Sequence, residues 1–568
     1  MFESEKHIDI PTKDLPTFIF DGRKGTDLDV PVYLDAKNPC RLYTVRQARK
    51  AINGIVAGLR AVGLQKGDTV LVNSAGDVSS IPPEVREDSF GNLEFATCLK
   101  LTPEKIDYSI LFLAIIAAGG IFTGSNPSYT PAEVANQVSK TDAKFIITQS
   151  AQLDKFTVVA DECGIPRENV FVFNHGPETI PHGYKSWEYL LSHGEADWFT
   201  FDDKATCETT IAAFIMSSGT TGMPKAAAIS HYNFLSEMTL GYDPEPKDFQ
   251  VRRLLVLPQF ATAAIYTNHC CPIRRREVAY VMPRYVLKEF LDFIEEYEIT
   301  ELSLVPPMVI SIIQSPLATK KKFRSVRLAH GGAAPLGQEH QARFKALLPP
   351  TTPMTQLWGM TETSGLAIAF FYPEHDDTGS IGRLISNLQA KLIDDEGRDI
   401  SAYDVRGELC LKGPTVMMGY HKRSNDDTID AEGWLSTGDI CYCDGKSKKW
   451  YIVDRKKDLI KVRGFQVAPP ELEALLLRHP DITDAAVIGI PLASEGTELP
   501  RAYVVRRKEN GREAKLSECD VKSFISGQVA AFKRLEGGVV FVDSIAKAAS
   551  GKILKQELRK LVDREAKL

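Results

Sequence analysis

Residues 211–230 read IAAFIMSSGTTGMPKAAAIS. The flanks, 211–216 and 226–230, are short apolar runs that read as strands. Between them stand Ser217, Ser218, Gly219, Thr220, Thr221, Gly222, Met223, Pro224 and Lys225. Glycines let backbone N–H groups approach a phosphate closely, hydroxyls add donors, and Lys225 adds a point charge, so this composition predicts a cradle for a triphosphate. The GxxxxGK[ST] spacing fails and the segment after Lys225 reads as strand, which excludes the strand–loop–helix form of phosphate loop. A plain polar turn would not call for such a density of hydroxyls, glycines and lysine.

Working outward, helical and strand patterns alternate. Residues 46–62 are amphipathic, 69–73 strand-like, 107–118 and 131–138 helical, and 144–148 a β-branched strand. A second cycle places a helix at 287–297 and a strand at 302–305, ahead of Pro306-Pro307. This predicts an α/β fold whose large N-terminal part holds two wound α/β subdomains. From 380 onward, short strands at 391–393, 408–411 and 450–453 alternate with turns such as DDEG and DAEG, as in a small β-barrel-like subdomain. The charged run 454–458, a helix at 470–477 and a strand at 485–490 predict a smaller, mobile α+β C-terminal domain. The expected division is 1–454 and 455–568, with the hinge at 454–458. One stretch, 78–105, has no clear periodicity where α/β connections usually take few residues.

The chain of 568 residues exceeds one ordinary core; 43% is hydrophobic and 25% charged, as in globular proteins. A formal net charge of −6 supplies no basic field for nucleic acid. Neither Cys270-Cys271 nor Cys441 with Cys443 has the paired spacing of a zinc site. The longest apolar run, 110–122, is too short for a membrane span and reads as a helix running into a strand. The N-terminal residues lack a signal-peptide pattern, so the expectation is an intracellular protein.

SSGTTGMPK resembles the phosphate loop of the adenylate-forming superfamily of acyl-CoA synthetases, luciferases and peptide-synthetase adenylation domains. Further motifs resemble that family in order: Gly331-Gly332-Ala333-Ala334-Pro335-Leu336, Gln356-Leu357-Trp358-Gly359-Met360-Thr361-Glu362, and Trp434-Leu435-Ser436-Thr437-Gly438-Asp439. They continue with Asp454-Arg455-Lys456-Lys457-Asp458-Leu459-Ile460-Lys461, Gly464-Phe465-Gln466-Val467, and Ser550-Gly551-Lys552-Ile553. The resemblance implies an ATP-dependent acyl-CoA ligase of the 4-coumarate-CoA ligase-like branch, including fungal enzymes of secondary metabolism. It would form acyl-AMP and pyrophosphate from a carboxylic acid, ATP and Mg2+, then pass the acyl group to CoA. The same resemblance implies an adenine turn at Gly332, Ala333, Ala334 and Pro335, and a phosphate contact at Thr361. Glu362 would hold Mg2+, and Trp358, in place of the usual tyrosine, would stack on adenine beside Gly359 and Met360. Asp439 would take the ribose, supported by Arg455. Lys552 would serve adenylation. Lys457 would be the pivot that brings Lys461 and Gln466 forward for thioester formation.

Three departures qualify this reading. Ala261, in Leu257-Pro258-Gln259-Phe260-Ala261, replaces the family's histidine or aromatic residue near the acyl pocket, and His269 is out of register with it. Deleting 78–105 would join Asp77 to Ile106 and restore the family pattern, which suggests a retained intron; a surface loop is the plainer alternative. The final Ala566-Lys567-Leu568 resembles the peroxisomal Ser-Lys-Leu address, the expectation otherwise being cytoplasmic. Two rival functions stay open: a stand-alone adenylating enzyme that loads a carrier protein, and a degenerate nucleotide-binding homologue. A downstream acyltransferase, polyketide synthase or peptide synthase is the expected kind of partner.

Overall fold

The computed structural model describes residues 1–22, 27–74, 105–174, 180–217, 224–244, 247–333, 336–423, 428–456, 458–462, 465–492, 497–509, 512–529, 531–547 and 553–565; at Lys461 and Gln466 it describes the backbone alone. The stretch 78–104 therefore lies outside the described residues, and the helix after it begins at Lys105.

An eight-stranded sheet runs in the order Gly419–Tyr420, Lys225–Ser230, Ile211–Ser217, Ile121–Ser125, Thr69–Asn73, Ala143–Thr148, Val170–Val172 and Lys185–Ser186. The strands from Ile211–Ser217 to Lys185–Ser186 are parallel, and the first two are antiparallel additions. Thr69–Asn73 and Ile121–Ser125 are buried along their whole length, as strands covered on both faces by helices must be. One cover is Val45–Ala61, whose start is fixed by a reciprocal cap between Thr44 and Gln47.

A seven-stranded sheet runs in the order Met354–Gln356, Leu328–Gly331, Glu301–Leu304, Arg252–Leu255, Val278–Val281, Pro31–Asp35 and Leu42–Thr44. It is parallel apart from the last pair. A third, antiparallel sheet joins Phe2–Glu3, Gln389–Ile393, Gly407–Lys412, Leu435–Cys443 and Trp450–Arg455. Beyond it come the hairpin of Ile460–Val462 with Phe465–Val467, the helix Pro469–Leu476, and the sheet of Ile482–Leu492, Thr497–Arg506 and Gly538–Phe541, which has its own apolar core. The fold is the expected α/β architecture with a β subdomain and an α+β C-terminal unit. The N-terminal segment crosses between sheets: Phe2–Glu3 edges the third and Pro31–Asp35 enters the second, neither of which has a local signal in the sequence.

Candidate active site

The described residues on either side of 218–223 meet in the sheet. Ser217 and Lys225 are cross-strand partners in the Ile211–Ser217 and Lys225–Ser230 hairpin, so the chain leaves and re-enters the sheet at one level. The Pro224 carbonyl accepts from Asn136 Nδ2 at 3.1 Å. On the far side of Lys225–Ser230 the short strand Gly419–Tyr420 adds the sheet edge, which puts the Tyr420 ring under the Lys225 ammonium, 4.8 Å from Nζ to the centroid.

Glu362 comes to this place from another element, the 3-10 turn Thr361–Thr363 that follows the strand Trp358–Met360. Ser217 Oγ donates to Glu362 Oε1 at 2.5 Å, and the Tyr420 hydroxyl donates to the same oxygen. Burial, and then the Glu362 charge, push the Tyr420 phenol well above its ordinary value, so it stays a donor. Among the described residues nothing bonds to Glu362 Oε2. A buried carboxylate with one oxygen fixed and the other uncommitted suits a hard divalent cation. Thr262 Oγ1 donates to Thr361 Oγ1 at 3.0 Å, tying this turn to the segment after Ala261.

A second group gathers around Asp439. Asp439 lies in Leu435–Cys443 and is paired in register with Arg455 of the neighbouring strand; Arg455 Nε lies 3.0 Å from Asp439 Oδ1. Trp358 donates its indole Nε1–H to Asp439 Oδ2 at 3.0 Å. Its ring is buried in the apolar cluster with Ala367 and Ile368. The tryptophan thus fixes the carboxylate. Gly359 admits no side chain here, because a Cβ would stand 1.8 Å from the Gly365 carbonyl oxygen.

The remaining expected residues fall as follows. Gly332 ends the Leu328–Gly331 strand, where its N–H donates to Leu304 O at 3.2 Å and an added Cβ would meet Leu357 at 2.8 Å. Ala333 turns back with φ of +67°, and Leu336 N–H donates to Gln356 Oε1 at 3.0 Å. Met360 pairs with Gly365 across the short antiparallel ladder. Lys461 and Gln466 are direct cross-strand partners in the C-terminal hairpin. Ser218, Gly219, Thr220, Thr221, Gly222, Ala334, Pro335, Lys457 and Lys552 lie outside the described residues, as do Ala566, Lys567 and Leu568.

Tyr420 and Thr262 were not legible as site residues. Tyr420 lies in a strand of two residues, and only its contact with Glu362 reveals it. His269 is structural. It is fully buried, bonded at Nδ1 to Ser109 Oγ (2.8 Å) and at Nε2 to Gln259 O (2.9 Å), and stacked on Phe112. Burial pulls its pKa down to about 4, so it is neutral.

The sequence profile described as AMP-binding enzyme matches residues 99–421, more than half of the chain, and that of the AMP-binding enzyme C-terminal domain matches 471–552. The chain belongs to the AMP-binding enzyme family. It is 43% identical to a phenylacetyl-CoA ligase of Aspergillus niger over 98% of both chains. It is 34% identical to a 4-coumarate–CoA ligase of Petroselinum crispum over 91% of this chain and 88% of that one. The ATP-bound crystal structure of MatB from Rhodopseudomonas palustris superposes with a TM-score of 0.79 at 25% identity, covering 96% of this chain and 98% of that one. The chemistry of this chain is ATP-dependent acyl-CoA ligation, with ATP, Mg2+ and CoA as the reactants and ion of the family. No helix among the described residues is long and apolar enough to cross a membrane.

Proposed function

We propose that the chain activates a ring-bearing carboxylic acid as its acyl-adenylate and transfers the acyl group to CoA, with the residue roles that follow. The observation that carries the nucleotide half is the convergence of five separated segments on one place: Ser217, Trp358 to Glu362, Tyr420, Asp439 and Arg455. Glu362 is the group to hold Mg2+, which when bound neutralises phosphate charge. Ser217 and Tyr420 fix the Glu362 carboxylate beforehand, so that no reorganisation is needed as charge develops on the α-phosphate. Asp439 accepts the ribose hydroxyls, with Trp358 and Arg455 holding its two oxygens. Lys552 serves the adenylation step, and Lys461 and Gln466, on their hairpin, serve the thioester step after rotation about Lys457.

The ring-acid reading rests on the wall beyond Thr262. Tyr266 is stacked on Tyr242 at 5.7 Å and lies 5.5 Å from Phe234, while Ala261 occupies little space at the entrance. The phenylacetyl-CoA ligase relative agrees with this choice. The test is acid-dependent ATP–pyrophosphate exchange and CoA-thioester formation across a panel of aryl, arylacetic and straight-chain acids. The expected result is exchange with ring acids at least about tenfold faster in kcat/KM than with straight-chain acids of equal length. Preference for the straight-chain series would overturn it.

A further inference from the structure

The helical run that starts at Thr262 carries Tyr266 four residues on, on the same face. The axial rise between them is about 6 Å, roughly the length of one aromatic ring. On the opposite wall the chain leaves Glu362 and reaches Gly365 three residues later. A Cβ on Gly365 would stand 2.6 Å from Glu237 Oε1 and 3.0 Å from Tyr266 Cε2. Glu237 and Tyr266 therefore both abut the bare backbone of Gly365, about one ring's length along the helical run from the Thr262–Thr361 contact.

Neither group is satisfied. Glu237 is completely buried, and Tyr266 nearly so. Glu237 Oε1 accepts the Leu366 N–H at 2.6 Å, while Glu237 Oε2 and the Tyr266 hydroxyl have no hydrogen-bond partner. Burial raises the Glu237 carboxyl well above the ordinary carboxylate range, which leaves it a neutral acid with an O–H to donate. Buried donors without acceptors are uncommon in folded proteins, and two on side chains that abut the same glycine call for a ligand. Both sit where α-helix gives way to π-helical turns, Met238–Tyr242 just after Glu237 and Tyr266–Cys270 at Tyr266 itself; such turns recur at functional sites.

We propose that Glu237 and Tyr266 form the far end of the acid pocket and select carboxylic acids that carry an oxygen acceptor, a hydroxyl or carbonyl, one ring away from the carboxylate. This deepens the ring-acid reading and rests on it. The carboxylate points to Thr361 and the nucleotide; the distal oxygen takes the Glu237 proton and meets the Tyr266 hydroxyl. A hydrophobic isostere leaves both groups unpaired, and sites built on hydrogen bonds reject such analogues more strongly than apolar pockets reject a change of size.

The test compares 4-hydroxyphenylacetate with 4-methylphenylacetate, which match in shape and differ in hydrogen bonding, in thioester formation by the full-length enzyme. The expected kcat/KM ratio is about tenfold or more in favour of the hydroxy acid. Tyr266→Phe reduces the ratio several-fold, Glu237→Leu brings it to one or inverts it, and Glu237→Gln, which keeps a donor, retains part of it. If Glu237→Leu does not fold, Tyr266→Phe and Glu237→Gln still report. Equal use of the two acids by the wild type, or ratios unmoved by the substitutions because a fixed water serves Glu237, would overturn the proposal. Failure of every ring acid would instead contradict the ring-acid reading; the same comparison is then made with ω-hydroxy and ω-methyl aliphatic acids, where equal use overturns the present inference.

Discussion

Around Glu362, two hydroxyls from different strands converge on one carboxylate oxygen, and across the same turn an indole and a guanidinium hold the two oxygens of Asp439. Around Glu237, also a buried carboxyl, one backbone N–H bonds to the first oxygen, while the second oxygen and the neighbouring Tyr266 phenol are unpaired. At the first end, protein groups anchor both carboxylates before any ligand arrives. The second is completed by the ligand. The difference follows from what each end meets: the nucleotide is the same in every turnover, so rigid preorganisation lowers the barrier each time. The acid is what distinguishes one family member from another, and selection among acids is strongest where groups are unpaired without the correct one.

The largest effect is expected at Lys552, the lysine proposed to serve adenylation. Lys552→Ala should slow adenylation by about 100-fold or more, read as pyrophosphate exchange, while thioester formation from supplied acyl-adenylate persists. Equal loss in both half-reactions would contradict the division of labour between Lys552 and Lys461. Next in size is Glu362→Gln, which keeps both hydroxyl contacts sterically possible but removes the charge. Its exchange rate should fall by about 10- to 100-fold, with part of the loss recovered as Mg2+ is raised. A variant whose Mg2+ dependence matches the wild type would remove Glu362 from the ion site. Neither substitution should alter the preference between hydroxy and methyl acids.

Ser217, Trp358, Glu362, Asp439 and Arg455, which the structure brings into contact with one another in two linked groups, were singled out in the sequence because they fall in short motif runs such as 217–225 and 356–362. The strands below them were legible for a related reason, since 70–72 and 211–216 are continuous apolar runs. Glu301 shows where such reading fails. The strand expected from 302 begins at Glu301, a charged residue that belongs there because Arg253 Nη1 lies 2.5 Å from it and Lys247 also pairs with it, both buried. Pairing that makes a buried charge tolerable is a long-range fact. Tyr420 and Glu237 were hidden in the same way. Glu237 ends His231–Glu237, a helix buried on nearly all sides, so no amphipathic stripe singles it out. The strand Pro31–Asp35 pairs in parallel with Val278–Val281, a partner far away in sequence.

A smaller effect probes the completed end through Trp358. The indole supplies one donor to Asp439 Oδ2, and Arg455 supplies the charge on Oδ1. Trp358→Phe preserves most of the buried ring but deletes that donor, so the carboxylate is held from one side only. The expected outcome is a rise of about three- to tenfold in KM for ATP with a small change in kcat, because the ribose contact is made in ground state and transition state alike. A comparable fall in kcat would mean that the tryptophan acts on the reacting phosphate instead.

The smallest effect on activity, and a distinct one on stability, comes from the scaffold behind the acid end. His269 holds Ser109 and the Gln259 carbonyl, two residues before Ala261, and it does so uncharged. Burial depresses its folded pKa to about 4 from an ordinary value near 6.5. A depressed histidine favours the folded state when neutral: its contribution is fully present above about 6.5 and is lost as pH falls toward 4, because the unfolded chain takes up the proton first. The full loss is on the order of 3 kcal/mol for a completely buried group. His231, pulled down to about 3 by burial, slopes in the same direction. In wild type the thermal midpoint should therefore decline between pH 6.5 and 5, before most carboxylates titrate. His269→Gln should lie lower at pH 7.5 and show a shallower decline over that interval, with His231 and His330, the latter pulled down to about 4 by burial, supplying the remainder. An unchanged slope in the variant would mean that His269 keeps access to a proton in the folded state, and that the acid end rests on a less rigid base than its hydrogen bonds imply.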